Sequence, residues 1–179
     1  MRRTPSHYPT RPAFSLVELV IVVVIIGIIA VIAIPRLASG VRGSTESALK
    51  KDLGVLRTAI DMYAAEHHGV FAGAMADGAG GVANSPEAFI SQLTKCSDEN
   101  GNVADACDAA HTFGPYLQKI PPLPVGANQN STTVAIDLTN SPPIVTVGTE
   151  GWVYNPETGQ IIANSDDPNE AGTRTYDEY

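Results

Sequence analysis

One apolar run near the N-terminus constrains this chain more than any other feature. It extends from Ala13 to Pro35, and the only charged residue within it is Glu18. The 21 residues from Phe14 to Ile34 would form a helix about 32 Å long, close to the ~30 Å hydrocarbon core of a bilayer. The run therefore predicts a membrane-spanning helix that anchors everything after it.

Glu18 is the unusual residue of this run. A charged carboxylate inside a membrane is costly unless it is paired, so an acid at such a place is a functional hypothesis. The alternative is that Glu18 lies close enough to the end of the span for its side chain to reach the lipid headgroups. Position alone leaves both interpretations open.

The residues before Glu18 carry a family resemblance. The segment A-F-S-L-V-E at residues 13–18 resembles the processing site of type IV prepilins and of the pseudopilins of type II secretion. The resemblance implies that a membrane peptidase cuts between Ala13 and Phe14, N-methylates Phe14 and leaves the apolar segment in place. The family nearly always has glycine where this chain has Ala13. Alanine is the next smallest residue, so cleavage is still expected.

The same resemblance implies roles for Glu18 and Pro35. Glu18 would pair with the terminal amine of a neighbouring subunit as a filament grows, and Pro35 matches the helix-kinking proline of the family. The new amine on Phe14 is cationic near neutral pH, so pairing removes two unpaired charges from lipid and favours one axial register. The implied partners are further copies, minor pseudopilins, the prepilin peptidase, an inner-membrane assembly platform and a cytoplasmic ATPase.

The charge distribution orients the chain and limits its partners. Residues 1–13 hold three of the 11 basic residues and none of the 19 acidic ones. The leader is therefore expected to stay in the cytoplasm, with a single pass through the bacterial inner membrane and the C-terminal domain outside. The mature chain keeps eight basic against 19 acidic residues, a net charge of −11. Such a charge argues against a general nucleic-acid binder.

A conventional secretory signal is the main alternative for the N-terminal region. The small-residue pattern Val31-Ile32-Ala33 would allow cleavage after Ala33. The length of the apolar run and the presence of Glu18 argue against this alternative. The sequence is therefore divided into a leader at 1–13, a transmembrane and filament-core helix at 14–35, and an extracytoplasmic domain at 36–179.

The long helix is expected to continue beyond the apolar run. Five apolar residues recur every three or four positions and so occupy one helical face: Leu49, Leu53, Leu56, Ile60 and Tyr63. The helix is predicted to reach about residue 67, where His67 and His68 would form a solvated end. Pro35, Gly40 and Gly43 should soften it between its two halves.

The rest of the chain predicts a short helix and a small antiparallel sheet. Ser85-Pro86-Glu87 supplies a cap, a first-turn proline and an acid for a helix that ends near Thr94. Alternating or β-branched segments predict strands at Thr132–Leu138, Ile144–Val147, Trp152–Tyr154 and Gln160–Ala163, with Trp152 and Tyr154 as packing anchors. The predicted class is α+β. The resemblance implies a type IV pilin-like fold, in which a long N-terminal helix packs on a small C-terminal antiparallel β-sheet.

Two further segments refine this interpretation. Cys96 and Cys107 are the only cysteines, and outside the cytoplasm such a pair usually forms a disulfide, with two free thiols as the alternative. The segment G-P-Y-L-Q-K-I-P at residues 114–121 resembles the region after the helical stalk in the major pseudopilin of type II secretion. The Trp-Gly pair that commonly follows in that family is missing here.

No motif for catalysis emerges from the sequence. Ser47-x-x-Lys50 lacks the companion motifs of penicillin-binding enzymes, and the glycine-rich residues 69–84 lack the G-K-[ST] of a phosphate loop. The chain is therefore predicted not to be an enzyme. Because G-type pseudopilins bind calcium in a C-terminal acidic loop, the resemblance makes Asp166 and Asp167 the candidates for a Ca²⁺ site.

The predicted function is that of a structural subunit. After processing it would polymerise into a pseudopilus or pilus, with type II protein secretion favoured by residues 114–121. The alternatives are a type IV pilin for adhesion, motility or DNA uptake, and a membrane-tethered enzyme or binding module.

Overall fold

The computed structural model describes residues 14–179, with the side chains of residues 32–42 excepted. The chain divides into two compact units, Met1–Val41 and Arg42–Tyr179. Helix α1 spans Leu16–Glu66, and Pro35 lies within its helical backbone. The softening expected between Pro35 and Gly43 stays a prediction, because a continuous helical backbone is not a measure of flexibility.

The second unit is built on one face of α1. The five apolar residues that the spacing places on this face are all buried: Leu49, Leu53, Leu56, Ile60 and Tyr63. They belong to a single hydrophobic core together with Phe89, Leu123 and Ile161 from later in the chain. The helical face predicted from the sequence is confirmed.

Helix α1 ends in two consecutive left-handed residues. His68 has a φ of 59° and Gly69 a φ of 82°. The N–H of Gly69 donates to the backbone oxygen of Ala64 at 2.8 Å, which satisfies a carbonyl of the last turn. The last helical residue is Glu66, so the predicted end at about residue 67 is confirmed.

The glycine-rich loop after α1 is organised around one buried carboxylate. Asp77 Oδ1 accepts from the backbone N–H groups of Ala79 and Gly81, both at 2.8 Å. Its Oδ2 accepts from the hydroxyl of Ser91 in the next helix. The side chain of Asp77 is only 3% exposed, so these bonds replace water as the partners of a buried charge.

Helix α2 begins with the predicted cap. It spans Pro86–Thr94, and the side chain of Ser85 accepts from the N–H of Ala88 at 3.2 Å. Proline fits the first helical position because the N–H there would have no intrahelical partner. The bounds predicted for this helix are confirmed.

A small sheet that the sequence did not predict lies close to the disulfide. Strand β1, Cys96–Ser97, pairs antiparallel with strand β2, Val103–Ala104. The buried Cys96 is joined to the exposed Cys107 by a disulfide. Strands of two residues are too short to show an alternating pattern, so the sequence carries no signal for them.

The three-stranded sheet is mixed, and the prediction of a wholly antiparallel sheet is wrong. Strand β3, Val134–Ile136, pairs parallel with strand β4, Trp152–Asn155, and β4 pairs antiparallel with strand β5, Gln160–Ala163. The 15 residues between β3 and β4 allow the chain to return and run parallel, which a short hairpin turn does not. Trp152 and Tyr154 are fully buried, which confirms them as packing anchors.

The strand predicted at Ile144–Val147 is also wrong. These residues form no strand, and the side chains of Ile144 and Val147 are 55% and 110% exposed. Asp137 stabilises the start of the loop between β3 and β4. Its carboxylate accepts hydrogen bonds from three backbone N–H groups further along this loop. Burial alone would raise the pKa of Asp137, but hydrogen bonds from the side chain of Asn140, from the N–H and hydroxyl of Thr139 and from the N–H of Ile144 hold it well below its ordinary value.

The C-terminal segment folds back onto the second half of α1. A short 3₁₀ helix spans Tyr176–Glu178. The hydroxyl of Tyr179 donates to Oε1 of Glu46 on α1 at 2.6 Å and accepts from Nδ2 of Asn169 at 3.0 Å. This contact holds the C-terminal residue against the second half of α1.

Candidate functional site

The side chains of residues 14–31 form an apolar surface that the isolated chain leaves exposed. Phe14 is 77% exposed, and even Val22, the least exposed large apolar side chain of this segment, is 44% exposed. A helix that is apolar around its whole circumference is normally buried in a membrane or a protein core. This surface therefore requires apolar surroundings.

Glu18 is the only charged side chain of residues 14–31 and lies in the first turn of α1. A carboxylate at this end interacts favourably with the positive end of the helix dipole. Phe14 and Ser15 precede the helix, and the N–H of Leu19 donates to the backbone oxygen of Ser15 at 3.2 Å. Glu18 and the predicted new terminus at Phe14 therefore lie at the same helix end. Ala13, on the other side of the predicted cut, lies outside the described residues.

Among the residues that the structure describes, no helix combines the length and the hydropathy needed to cross a membrane.

Pro35 lies within the helical backbone of α1. The structure does not describe the side chain of Pro35, so its role as the kinking proline of an assembly helix stays a prediction.

Asp166 and Asp167 are both exposed and lie just after β5. They line a cavity of about 420 Å³ with Val147 and Thr146, and Asp167 Oδ2 accepts from the hydroxyl of Ser165 at 3.1 Å. Calcium prefers oxygen ligands of these types. In the described part of the chain, however, no three His, Cys, Asp or Glu side chains are grouped to hold a metal ion. A Ca²⁺ site at Asp166 and Asp167 therefore stays a prediction that rests on two carboxylates.

His67 is buried, so the solvated helix end predicted for this residue is wrong. Its Nδ1–H donates to the backbone oxygen of Tyr63 at 2.8 Å, and its Nε2 lies 3.1 Å from the hydroxyl oxygen of Ser97. The imidazole stacks on the ring of Tyr63 with 3.8 Å between ring centroids. The spacing along the helix is consistent with this burial, because His67 follows Tyr63 by four residues and so extends the buried face. The adjacent His68 is exposed, as predicted.

Changing His67 to alanine is expected to lower the free energy of unfolding by about 2–3 kcal/mol, because two buried hydrogen bonds and a stacked ring are lost. Unfolding of the full chain in detergent can be followed by the fluorescence of its single tryptophan, Trp152, which is fully buried. The matched control is His68→Asn, because asparagine tolerates the left-handed backbone of that residue. Equal losses in the two variants would contradict the role of His67.

The segment at residues 114–121 connects the ends of the two helices. The N–H groups of Tyr116 and Leu117 both donate to the backbone oxygen of Leu93 in α2, at 3.0 and 2.9 Å. The hydroxyl of Tyr116 donates to Oε2 of Glu66, the last residue of α1. Ile120 is buried in the core.

Comparison with protein families identifies the N-terminal segment. Residues 11–34 match the family model described as the prokaryotic N-terminal methylation motif. The chain therefore carries a prepilin-type N-terminus. The match indicates a pilin-type subunit that prepilin peptidase processes and that polymerises. The predicted cut site, Phe14 and Glu18 all fall within the matched segment. Neither the curated proteins nor the solved structures contain a match to the chain.

Proposed function

We propose that this chain is a structural subunit, and not an enzyme, that is cut between Ala13 and Phe14 and polymerises into an extracytoplasmic filament. The observation that carries the proposal is the exposed apolar surface of residues 14–31 within the matched segment, with Glu18 as its single charge. Packing these surfaces together in a filament core keeps apolar area away from water, at roughly 25 cal/mol per Å². The carboxylate of Glu18 then pairs with the amine of Phe14 in a neighbouring copy.

Before assembly, residues 14–35 anchor the chain in the bacterial inner membrane as a single pass. The length of the apolar run and the basic leader support this topology, with the N-terminus in the cytoplasm and a pilin-like domain outside. The proposed partners are prepilin peptidase, an assembly platform in the inner membrane and minor pseudopilins. A separate cytoplasmic ATPase supplies the energy for extension.

Among such filaments, a pseudopilus for type II protein secretion is the one proposed. The support is the resemblance of residues 114–121 to the major pseudopilin of that system, which would also place a calcium ion at Asp166 and Asp167. A type IV pilus for adhesion, motility or DNA uptake would instead appear by electron microscopy as long surface filaments.

The test of the proposed function is the intact mass and N-terminal sequence of the protein isolated from membranes. The expected chain starts at N-methylated Phe14. A chain that starts at Ile34 would show that the run is an ordinary secretory signal, which would overturn the proposal. A chain that retains Met1 would contradict processing. Ala13→Gly would then show whether alanine at the cut site prevents it.

A further inference from the structure

Two tyrosine hydroxyls bind α1 at the two ends of its second half. The hydroxyl of Tyr179 donates to Oε1 of Glu46 at 2.6 Å. The hydroxyl of Tyr116 donates to Oε2 of Glu66, the last residue of the helix. The two glutamates are 20 residues apart, which along a helix is about 30 Å. Each bond therefore joins a distant segment of the chain to one end of this part of the helix.

The contact at Tyr179 is reinforced by charges. Nζ of Lys50 forms an ion pair with Oε1 of Glu46 at 2.9 Å and lies 4.8 Å from the centroid of the Tyr179 ring. The guanidinium carbon of Arg174 lies 4.8 Å from the same centroid, and cations are attracted to the electron-rich face of an aromatic ring. The hydrogen bonds from Lys50 and Tyr179 hold the pKa of Glu46 below its ordinary value, so its carboxylate is ionised near neutral pH.

The segment that carries Tyr179 is fixed to the sheet at its other end. This segment, residues 165–179, is here called the clasp and begins just after β5. The N–H of Asp177 donates to the backbone oxygen of Ser165 at 3.0 Å, and Nδ2 of Asn169 donates to the hydroxyl of Tyr179 at 3.0 Å. The clasp therefore connects the end of β5 with the second half of α1 through a folded loop.

The clasp meets α1 next to the part of the helix with the lowest helix propensity. One proline and two glycines at residues 35–43 weaken the helix there. A Cβ placed at Gly43 would lie 3.0 Å from Oε2 of Glu170 in the clasp. Residues 43–48 are at most partly buried, and Leu49 is the first of the fully buried core residues of α1. This turn of α1 therefore depends on the clasp more than on the core.

We propose that the clasp sets the point on α1 at which loosening of the helix stops. Loosening that begins at residues 35–43 goes no further than Glu46, because unwinding the next turn would break the bond between Glu46 and Tyr179. In the proposed filament, a pull along α1 is passed from Glu46 to β5, and the buried face from Leu49 onward stays wound. The clasp acts within one copy, so this inference goes beyond the proposed function and does not depend on polymerisation.

The test is amide hydrogen exchange of the full chain in detergent, measured along α1 by mass spectrometry. In the unmodified chain, residues 36–43 are expected to exchange faster than residues 51–63. Tyr179→Phe removes the hydroxyl and keeps the ring between its two cations. In this variant the exchange of residues 44–50 should rise about tenfold, as expected for the loss of a hydrogen bond to a charged acceptor, while residues 51–63 stay unchanged.

Two further variants show whether the effect belongs to the clasp. Tyr116→Phe is the matched control, because it removes the hydroxyl that binds Glu66 at the other end of the helix. It should leave the exchange of residues 44–50 unchanged. On a Glu46→Ala background, Tyr179→Phe should cause no further increase at residues 44–50, because the acceptor of its hydroxyl is already absent.

Three results would overturn the inference. The first is unchanged exchange of residues 44–50 in Tyr179→Phe, and the second is a further increase when Tyr179→Phe is added to Glu46→Ala. The third is equal protection of residues 36–43 and 51–63 in the unmodified chain, because the clasp would then have no loosening to stop. None of these results bears on cleavage or polymerisation, so the proposed function stands or falls separately.

Discussion

Changing Glu18 to glutamine is expected to leave cleavage and methylation at Phe14 intact and to lower the constant for adding a subunit to the filament about a hundredfold. In the filament core the carboxylate of Glu18 is proposed to neutralise the amine of Phe14, and removing one partner of a buried ion pair costs about 3–5 kcal/mol. The glutamine side chain is nearly isosteric but carries no charge, so the amine stays unpaired in an apolar core. About 2.8 kcal/mol corresponds to a hundredfold change in the assembly constant.

The measurement for Glu18→Gln is the ratio of sedimented filament to membrane-bound subunit by immunoblot. Intact mass first verifies that the subunit begins at methylated Phe14, which separates assembly from processing. The matched control is Glu99→Gln, an exposed acid outside the apolar helix, which should assemble as the unmodified chain does. Normal filament yield from the processed Glu18→Gln variant would disprove the pairing.

The second large effect is expected at Asp77. Asp77→Ala should lower the free energy of unfolding by about 3–5 kcal/mol. The substitution removes a buried carboxylate, and three hydrogen-bond donors then lose their acceptor. Those donors are the N–H groups of Ala79 and Gly81 and the hydroxyl of Ser91. Denaturant unfolding of the full chain in detergent, followed by Trp152 fluorescence, measures the loss. The matched control is Asp105→Ala, in which an exposed aspartate is removed and little change is expected.

The same carboxylate gives stability a defined pH dependence. Burial alone would raise the pKa of Asp77, but the hydrogen bonds from Ser91, Ala79 and Gly81 outweigh it and lower the pKa. A group with a lowered folded pKa contributes its stability above its unfolded value of about 3.9 and loses it as the pH falls through the folded value. In Asp77→Asn the acid-induced loss of stability should therefore be smaller than in the unmodified chain. An unchanged pH profile would show that Asp77 does not titrate in this way.

Much of the fold could be predicted because its signals are local. The buried face from Leu49 to Tyr63 follows from spacing along one helix, and the start of α2 follows from Ser85 and the proline after it. The hairpin of β4 and β5 follows from two apolar segments separated by a turn. The motif at residues 11–34 is a contiguous segment, so the candidate site could also be identified from the sequence.

Other features depend on contacts between distant segments. Spacing alone extends the buried face to His67, but the burial of its ring depends on Ser97 and Phe113, which come 30 or more residues later. A charged residue such as Asp77 is normally exposed, and only the convergence of backbone N–H groups and Ser91 makes its burial tolerable.

Neighbouring residues along the chain are enough to predict the apolar N-terminal helix with its single acid, the buried face of α1, helix α2 and the β4–β5 hairpin. The parallel pairing of β3 with β4, the exposed loop at residues 144–147 and the burial of His67 and Asp77 follow instead from the packing of the whole domain. Strand direction and burial depend on which distant segment supplies the hydrogen bonds and the covering side chains. That choice is made by the whole core and not by the residues of one segment.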